Sequence, residues 1–528
     1  MGDVNGLAKH WQFIRKHVWR LQDEYVGSAI KSSSGLMYGY DTTVSGGVMM
    51  MMPFLAKFFP SILANIRDSR EDEYCLFNSH KVTAFVSSMF IAGMVSSLLA
   101  GRLTNLIGRR FSLITGGILF LMGNALSVSA QDVSMLISGR LFVGFGIGFA
   151  NQHKCTQTGR IMGSGLKGSF CKGSNGSGQA APVYITEMAP SKWRGALNSA
   201  FQFFICLGTI IASLINLAAN HSNSNYGWRL ALGCASVPAM VLIIGALFIP
   251  DTPSSLIQRG KNLEALAALT KVRSTKAGAE AELKDLIISS QVAKKSLWRP
   301  YMKLMEPSYR PPLVLTITIA GFQQLTGIGL VGFYAPVVMR TIGLGAEGSL
   351  LAALVIGLVN LASVLKSTCM VDHIGRKFMF LQGGVQIIFA HVFIACTLAV
   401  QSQGIDVDFP YNYGMAVLVL MCVISSAFGY SWGPLTWLVP SEILPIEVRT
   451  AGTAIGVATN FLITFILTQF SMWMLCSMKF GLFFFYGATT FLMTIVIAGF
   501  LPETKGVPLE SMENLWSKHW FWKYHVPS

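Results

Sequence analysis

The sequence predicts an all-α membrane protein of twelve helices, and three observations carry this prediction. Hydrophobic residues make up 52% of the 528 positions and charged residues only 12%, whereas a soluble protein carries about 25% charged residues. The mean hydropathy is +0.52. Apolar runs also recur along the chain with the roughly 20 residues that a helix needs to cross the hydrocarbon core. Together these features exclude an ordinary soluble enzyme.

Eleven of the predicted spans are clear apolar runs. They cover residues 80–100, 111–130, 133–152, 196–219, 228–249, 313–339, 349–371, 378–401, 413–439, 452–476 and 480–501. The first span, between Val26 and Met52, is weaker because Lys31 and the serines at 32–34 stand where aliphatic residues are expected. The first 30 residues lack a compact apolar stretch with a small-residue cleavage site, so we expect no cleavable signal peptide.

The formal net charge of +15 fits either a nucleic-acid binder or a membrane protein with basic cytoplasmic loops. Lys and Arg concentrate in loops on alternate sides of the apolar runs, and no basic face with interleaved aromatics occurs, so the positive-inside rule explains the charge. We therefore predict cytoplasmic termini, a lipid bilayer as partner and no nucleic acid. The predicted cytoplasmic loops are 101–110, 187–195, 251–311, 372–377 and 441–450.

An internal repeat divides the chain into two six-helix halves. Arg194 follows Glu187 by seven positions, and Arg449 follows Glu442 by the same spacing. GRLTNLIGRR is echoed by MVDHIGRK, and PDTPSSL by PETKGVPL. Repeated six-helix halves with a substrate site between them are typical of secondary transporters. The predicted order is a cytoplasmic segment 1–25, the first half 26–249, a helical cytoplasmic linker 250–311, the second half 312–501 and a cytoplasmic tail 502–528.

Residues 153–179 do not fit this pattern. The segment is rich in Gly, Ser and Lys and interrupts the cytoplasmic end of the fourth span. It is either a regulatory loop or a retained intron or gene-model error. We favour the second interpretation, because removing it restores the continuous sequence GFANQAAPVYITEMAP.

The motifs of the chain resemble those of the sugar porters of the major facilitator superfamily, most closely the plant monosaccharide/proton symporters. They are GYDTTVSGGV, GRRFSLITGG, GRLFVGFGIGFANQ, PVYITEMAPSKWRGALN, PDTPSSLIQRG, GFQQLTGI, FYAPV, DHIGRK, SWGPLTWLVPSEI and LPETKGVPLE. The resemblance implies the major facilitator fold, alternating access and a location in the plasma membrane.

Two ionisable residues lie inside predicted spans, Asp41 in the first and Arg140 in the fourth. An unpaired charge there costs at least about 2.5 kcal/mol, so such residues need partners. Both fall in the outer half of their spans, which allows them to pair. A change in their separation would change the affinity of the carboxylate for a proton. The resemblance implies that Asp41 accepts the coupling proton and that Arg140 is its partner; the alternative is a purely structural ion pair.

Amide side chains and one tryptophan form a second set inside the predicted spans. Amides both donate and accept hydrogen bonds without charge, as sugar hydroxyls require, and the indole offers an apolar face to a pyranose ring. Single amides often serve only helix packing, but the resemblance implies sugar contacts at Gln202, Gln323, Gln324, Asn360, Trp437 and Asn460. Gly329 stands where hexose transporters usually have Asn, which predicts weaker binding, a different sugar preference or a water in the gap.

A third set consists of charged residues in the predicted cytoplasmic loops. The positive-inside rule alone would explain the basic ones, whereas the resemblance implies a latch that holds the outward-facing state. The set is Arg102, Arg109, Arg110, Glu187 and Arg194 in the first half and Asp372, Arg376, Lys377, Glu442 and Arg449 in the second. Asn105 replaces an Asp of many superfamily members, so the latch of the first half departs from the pattern.

Of nine cysteines, only Cys75 and Cys476 are predicted to face outside, and the resemblance implies a disulfide between them. The sequence contains no metal-ligand spacing, nucleotide-binding loop or nucleophile with a base partner, so we expect no enzyme activity and no cofactor besides the coupling proton. The expected function is proton-coupled hexose import. A sugar or polyol uniporter of the same fold, and a non-transporting receptor or pseudotransporter inactivated by 153–179, remain open.

Overall fold

The fold is taken from a computed structural model of the chain. It describes residues 33–67, 73–107, 109–151, 194–221, 225–248, 256–257, 260–272, 280, 283–284, 287, 299–402, 411–445, 448–505 and 512–525. The predicted amino-terminal segment, Lys31 and the insertion 153–179 lie outside these residues. Within the described ranges every regular element is a helix, as the composition predicts.

Six spans, α1 to α6, form the first half. Short helices Met52–Phe58 and Pro60–Arg67 and a 3₁₀ turn at Glu73–Cys75 connect α1 to α2. The bounds are 33–48 for α1, His80–Ile107 for α2, Arg109–Ser129 for α3, Val133–Asn151 for α4, Arg194–His221 for α5, and the two pieces Gly227–Gly233 and Ser236–Phe248 for α6.

Six further spans, α7 to α12, form the second half. The bounds are Arg310–Leu325, Ile328–Gly332 and Ala335–Thr341 for the three pieces of α7, Ala346–Ile374 for α8, Arg376–Ser402 for α9, Tyr411–Tyr430 and Trp432–Ile443 for the two pieces of α10, Arg449–Met478 for α11 and Gly481–Phe500 for α12. Helix Asn262–Val272 lies in the predicted linker, and helix Met512–Lys518 follows α12.

Ten of the described stretches are long and apolar enough to cross a membrane. The other two spans are α1, whose described part is short, and α7, which is broken twice. The predicted span 313–339 is present as three helical pieces, and the first break occurs where Gly327 adopts a left-handed conformation with φ 77°. The predicted span 413–439 is likewise interrupted, at Ser431, and its second piece continues to Ile443.

The two halves meet along α2 with α11 and along α5 with α8. At the end of the bundle that the sequence predicts to face outside, the Ser87 hydroxyl donates to Gln469 at 2.6 Å. The Gln469 amide in turn donates to Thr83 at 3.0 Å. These polar contacts join α2 of the first half to α11 of the second.

Candidate functional site

A cavity of about 200 Å³ lies between the two halves. Side chains from α1, α5, α7, α8, α10 and α11 line it. The lining includes every residue predicted to contact sugar, namely Gln202, Gln323, Gln324, Asn360, Trp437 and Asn460. The fold therefore brings together residues of five helices that are far apart in the sequence.

The amides of α7 and α11 hold one another in fixed orientations. Asn460 donates to the Gln323 side chain at 2.8 Å and to the Ala320 carbonyl at 2.9 Å. Gln324 donates to Asn460 at 3.2 Å. Because these buried amides are already oriented by each other, a ligand that bonds to them meets donors and acceptors that need little rearrangement.

The break in α10 contributes to the same network. Helix α10 stops at Tyr430 and restarts at Trp432, and Gln323 donates to the backbone carbonyls of Trp432 and Gly433, at 3.3 Å each. A side chain of α7 thus bonds carbonyls next to the break. Trp437, one turn further along α10, lines the cavity.

Aromatic side chains from the two halves contact each other at the cavity. Phe90 of α2 stacks on Phe333 of α7, with ring centroids 5.6 Å apart. Tyr38 of α1 meets Phe461 of α11 edge-on at 6.3 Å. Gly46 of α1 permits the close approach of α1 to the Phe333 carbonyl, since a Cβ on Gly46 would collide with that oxygen.

At the opposite end, the cavity lining continues to residues near the predicted cytoplasmic surface. Pro440 lies in the last turn of α10, and Arg449 and Thr453 lie in the first turns of α11. The cavity lining therefore reaches the predicted cytoplasmic ends of α10 and α11.

Asp41 and Arg140 form a buried ion pair inside the first half. Arg140 donates to the Asp41 carboxylate at 2.7 Å, and the two side chains are only 1% and 2% exposed. The same guanidinium donates to the Ser45 hydroxyl at 2.6 Å and lies over the Phe85 ring at 5.2 Å. Asp41 Oδ2 is buried without a hydrogen-bond partner in the described part of the chain. Arg140 thus holds one carboxylate oxygen of Asp41 and leaves the other without a hydrogen bond to the described residues.

The ion pair lies beside the cavity rather than in its wall. Tyr38, Thr42 and Thr43, which flank Asp41 on α1, line the cavity, but Asp41 itself does not. A movement of α1 would therefore affect both the carboxylate and the aromatic contact made by Tyr38.

The predicted latch is described mainly in the second half. Arg376 at the start of α9 forms an ion pair with Glu442 in the last turn of α10 at 3.0 Å, and both side chains are buried. Thr504 donates to the second Glu442 oxygen at 2.8 Å. Arg449 donates to the Leu444 carbonyl, and the backbone N–H of Lys377 donates to Glu503.

In the first half, Arg110 donates to the Leu247 carbonyl at 2.6 Å. Glu187, and the side chains of Arg102, Arg109, Arg194 and Asp372, lie outside the described residues. The role of these residues in a latch therefore stays a prediction.

Cys75 and Cys476 are joined by a disulfide, with Cα atoms 4.5 Å apart. The bond ties the segment between α1 and α2 to the end of α11, and so joins the two halves covalently. That segment also packs on the first half, where Phe54 and Phe58 contact Trp228 at ring centroid distances of 5.7 and 5.3 Å.

Gly329 lies beside the amide network. It lines a small pocket with Gln324, Tyr334 and Ser471. A Cβ at Gly329 would come no closer than 3.7 Å to its nearest neighbour, the Phe333 ring. The site therefore has room for a side chain where the resemblance predicts an Asn.

Sequence reasoning missed Ser45, the aromatic residues that join the two halves at the cavity, and a buried histidine, His391. Ser45 stands four positions after Asp41, on the same face of a helix, and this spacing could have identified it. The aromatic residues gave no such signal, because their contacts join helices that are distant in the sequence.

The arrangement of twelve helices in two halves around a central cavity defines a secondary transporter of the major facilitator fold. The solved structure of the proton:xylose symporter XylE bound to 6-bromo-6-deoxy-D-glucose superposes with a TM-score of 0.73, at 24% identity, over 94% of this chain and all of that one. An inward-open structure of the xylose transporter XylE from E. coli gives 0.69 at 23% identity, over 93% and 100%. These matches support the fold.

Residues 28–155 and 173–516 match the family described as "Sugar (and other) transporter". Sugar transport protein 5 of Arabidopsis thaliana is 44% identical over 94% of this chain and 93% of its own length. Sugar carrier protein C of Ricinus communis is 40% identical over 95% and 91%. The chain belongs to the sugar transporter family.

Proposed function

We propose that this protein is a proton-coupled monosaccharide symporter that imports a hexose by alternating access. The observation that carries the proposal is the position of the buried Asp41–Arg140 pair next to a cavity lined by oriented amides. The proposal includes no enzymatic step and no cofactor, since the proton is the coupling ion. It places the protein in the plasma membrane with both termini in the cytoplasm.

The amides account for sugar selectivity. Gln323, Gln324 and Asn460 offer donors and acceptors from the second half, and Gln202 adds one amide from the first half. A hexose that bonds to both sets would draw the halves together around itself. Trp437 provides an apolar face for the C–H groups of the ring.

The ion pair accounts for proton coupling. When Asp41 takes up a proton, its charge attraction to Arg140 is lost, and a buried arginine without a counter-charge is unfavourable. Protonation of Asp41 therefore favours separation or rearrangement of the pair. Such a change moves α1. Because Tyr38 lies on α1 and contacts Phe461 across the cavity, this contact changes as well. Proton binding and the contact between the two halves are linked in this way.

The charged residues at the predicted cytoplasmic end act as the latch of the outward-facing state. Arg376 and Glu442 are the described pair in the second half, and Glu187 with the arginines of the first half is their proposed counterpart. Opening towards the cytoplasm would require contacts between the two sets to break.

The test is uptake of radiolabelled hexose in cells that lack their own hexose transporters. We expect uptake above the level of empty-vector cells, stimulation by an acidic medium and loss of accumulation with a protonophore. Uptake that equilibrates but is unaffected by the protonophore would indicate a uniporter. No uptake, with the protein present at the cell surface, would contradict the proposal.

A further inference from the structure

His391 is an ionisable residue buried in α9, and it has no part in the transport steps above. Its side chain is 0% exposed. Ionisable residues inside a membrane span are costly and generally have a specific role. Among the described residues, none of α9 or α12 lines the central cavity, so His391 lies outside the proposed sugar site.

His391 forms a hydrogen bond at the break in α7. Its Nε2 lies 3.0 Å from the Thr326 carbonyl, immediately after the first piece of α7 ends at Leu325. A carbonyl oxygen only accepts hydrogen bonds, so Nε2 carries the proton and donates. Nδ1 has no hydrogen-bond partner among the described residues. A neutral ring with its proton on Nε2 leaves no buried N–H unpaired.

A second side chain, which lies on α12, donates to the neighbouring carbonyl of α7. The Thr489 hydroxyl donates to the Leu325 carbonyl at 2.9 Å, and it shares this proton with the Tyr486 carbonyl of its own helix at 3.0 Å. The last carbonyls of a helix have no partner within the helix and require one elsewhere when buried. His391 and Thr489 thus satisfy two consecutive carbonyls at the point where α7 stops.

Ring packing fixes the same point. His391 stacks on Tyr486 of α12, with ring centroids 5.8 Å apart. Gly327 has φ 77°, and a Cβ there would lie 3.0 Å from the Tyr486 ring and 3.1 Å from the His391 ring. The absence of a side chain at Gly327 therefore lets both rings lie directly against the turn.

The turn in α7 connects residues that line the cavity. Gln323 and Gln324 precede it, and Ile328 and Phe333 follow it. A displacement of the turn would shift the two glutamines relative to Asn460, with which they share hydrogen bonds of 2.8 and 3.2 Å.

We propose that His391 and Thr489 are positioning residues for substrate binding: they hold the break of α7 from behind the cavity and so set the geometry of Gln323 and Gln324. The substrate part of this inference rests on the proposed function. The structural part, that the pair holds the turn, is independent of it.

The first experiment measures backbone hydrogen exchange in purified protein by mass spectrometry, over peptides that contain residues 323–333. Three single variants are compared with the parent. His391→Leu removes the donor at similar volume, and His391→Gln keeps an N–H at a similar reach. Thr397→Val is a control on α9, because among the described residues the Thr397 hydroxyl bonds the Phe393 carbonyl of its own helix. We expect about tenfold faster exchange in His391→Leu and parental rates in the other two.

The second experiment measures hexose uptake against concentration for the same variants. We expect His391→Leu to raise KM about fivefold to tenfold, since a buried carbonyl loses its partner, with the maximal rate per surface molecule unchanged. His391→Gln should restore the parental KM, and Thr489→Val should reproduce the loss.

The two experiments separate the inference from the proposed function. Absence of uptake by the parent protein contradicts the proposed function, and the exchange experiment then decides the structural part alone. Parental exchange rates in His391→Leu overturn that part. Faster exchange with an unchanged KM, in a parent that transports hexose, overturns the positioning role.

Discussion

The two halves share one helical plan but bury different chemistry. Beside the cavity, the first half buries a charged pair, Asp41 and Arg140, whereas the second half presents a network of neutral amides, Gln323, Gln324 and Asn460. The buried Arg376–Glu442 pair of the second half lies away from these amides, at the predicted cytoplasmic end. A charged pair responds to protonation, while amides recognise hydroxyl groups without changing charge. Under the proposed function, the duplicated fold divides the two tasks, with proton coupling assigned to one half and most of the sugar recognition to the other.

The strongest test of this division is Asp41→Asn. Asn has a similar shape but cannot exchange a proton, so we expect accumulation of hexose to fall to the level of protonophore-treated parent cells. Exchange of labelled for unlabelled sugar across the membrane should continue, because the amides of the second half are intact. Both are measured at matched surface amounts. Accumulation equal to that of the parent would show that Asp41 is not the coupling residue.

The complementary change is Asn460→Ala in the second half. It removes two hydrogen bonds that Asn460 donates and one that it accepts. We expect KM for hexose to rise about tenfold to a hundredfold, with the ratio of protons to sugar unchanged. Simultaneous recording of pH change and sugar uptake measures that ratio. A change in the ratio with little change in KM would reverse the proposed assignment of the two halves.

The halves also differ in continuity, since 153–179 interrupts the first half only. The family match omits 156–172, within this segment. If the segment separates α4 from Glu187, the latch of the first half lacks a rigid support, while closure of a longer loop costs only about 0.6 kcal/mol per doubling of length. We expect deletion of 153–179 to increase uptake per surface molecule about twofold or more, from a shifted conformational equilibrium.

Quantitative surface labelling combined with uptake measures this effect. Equal uptake by the two forms would show that the segment is tolerated. Loss of uptake on deletion would show that it is a working part of the transporter, as the regulatory-loop interpretation requires.

The last expected effect concerns a single position, Gly329. The Gly329→Asn variant places an amide next to Gln324, where the structure has room for a side chain. One additional hydrogen bond contributes about 0.5–1.5 kcal/mol, so we expect KM to fall about twofold to tenfold. Gly329→Ala is the matched control for loss of backbone freedom. If KM falls as much in Gly329→Ala as in Gly329→Asn, the effect is due to rigidity of the backbone rather than to recognition of the sugar.

The sequence predicted the helices well wherever composition decides the structure. The apolar runs correspond to observed spans, and α11 extends from the predicted 452–476 to Arg449–Met478, because a helix continues beyond the lipid core. The breaks in α7 and α10 were not predicted. The α7 break is stabilised by His391 and Thr489, which are 65 and 164 positions away from the carbonyls they bond.

Local sequence determined that this chain crosses a membrane by helices, because a backbone in lipid must satisfy its own hydrogen bonds. Together with its motifs, it also identified the ionisable and amide residues that are candidates for function. Only the tertiary structure decided that Arg140 bonds Asp41 and Ser45, that the amides orient one another, and that His391 supports the turn of α7. These contacts join helices that are distant along the chain, and side-chain geometry across such an interface is set by packing rather than by sequence periodicity.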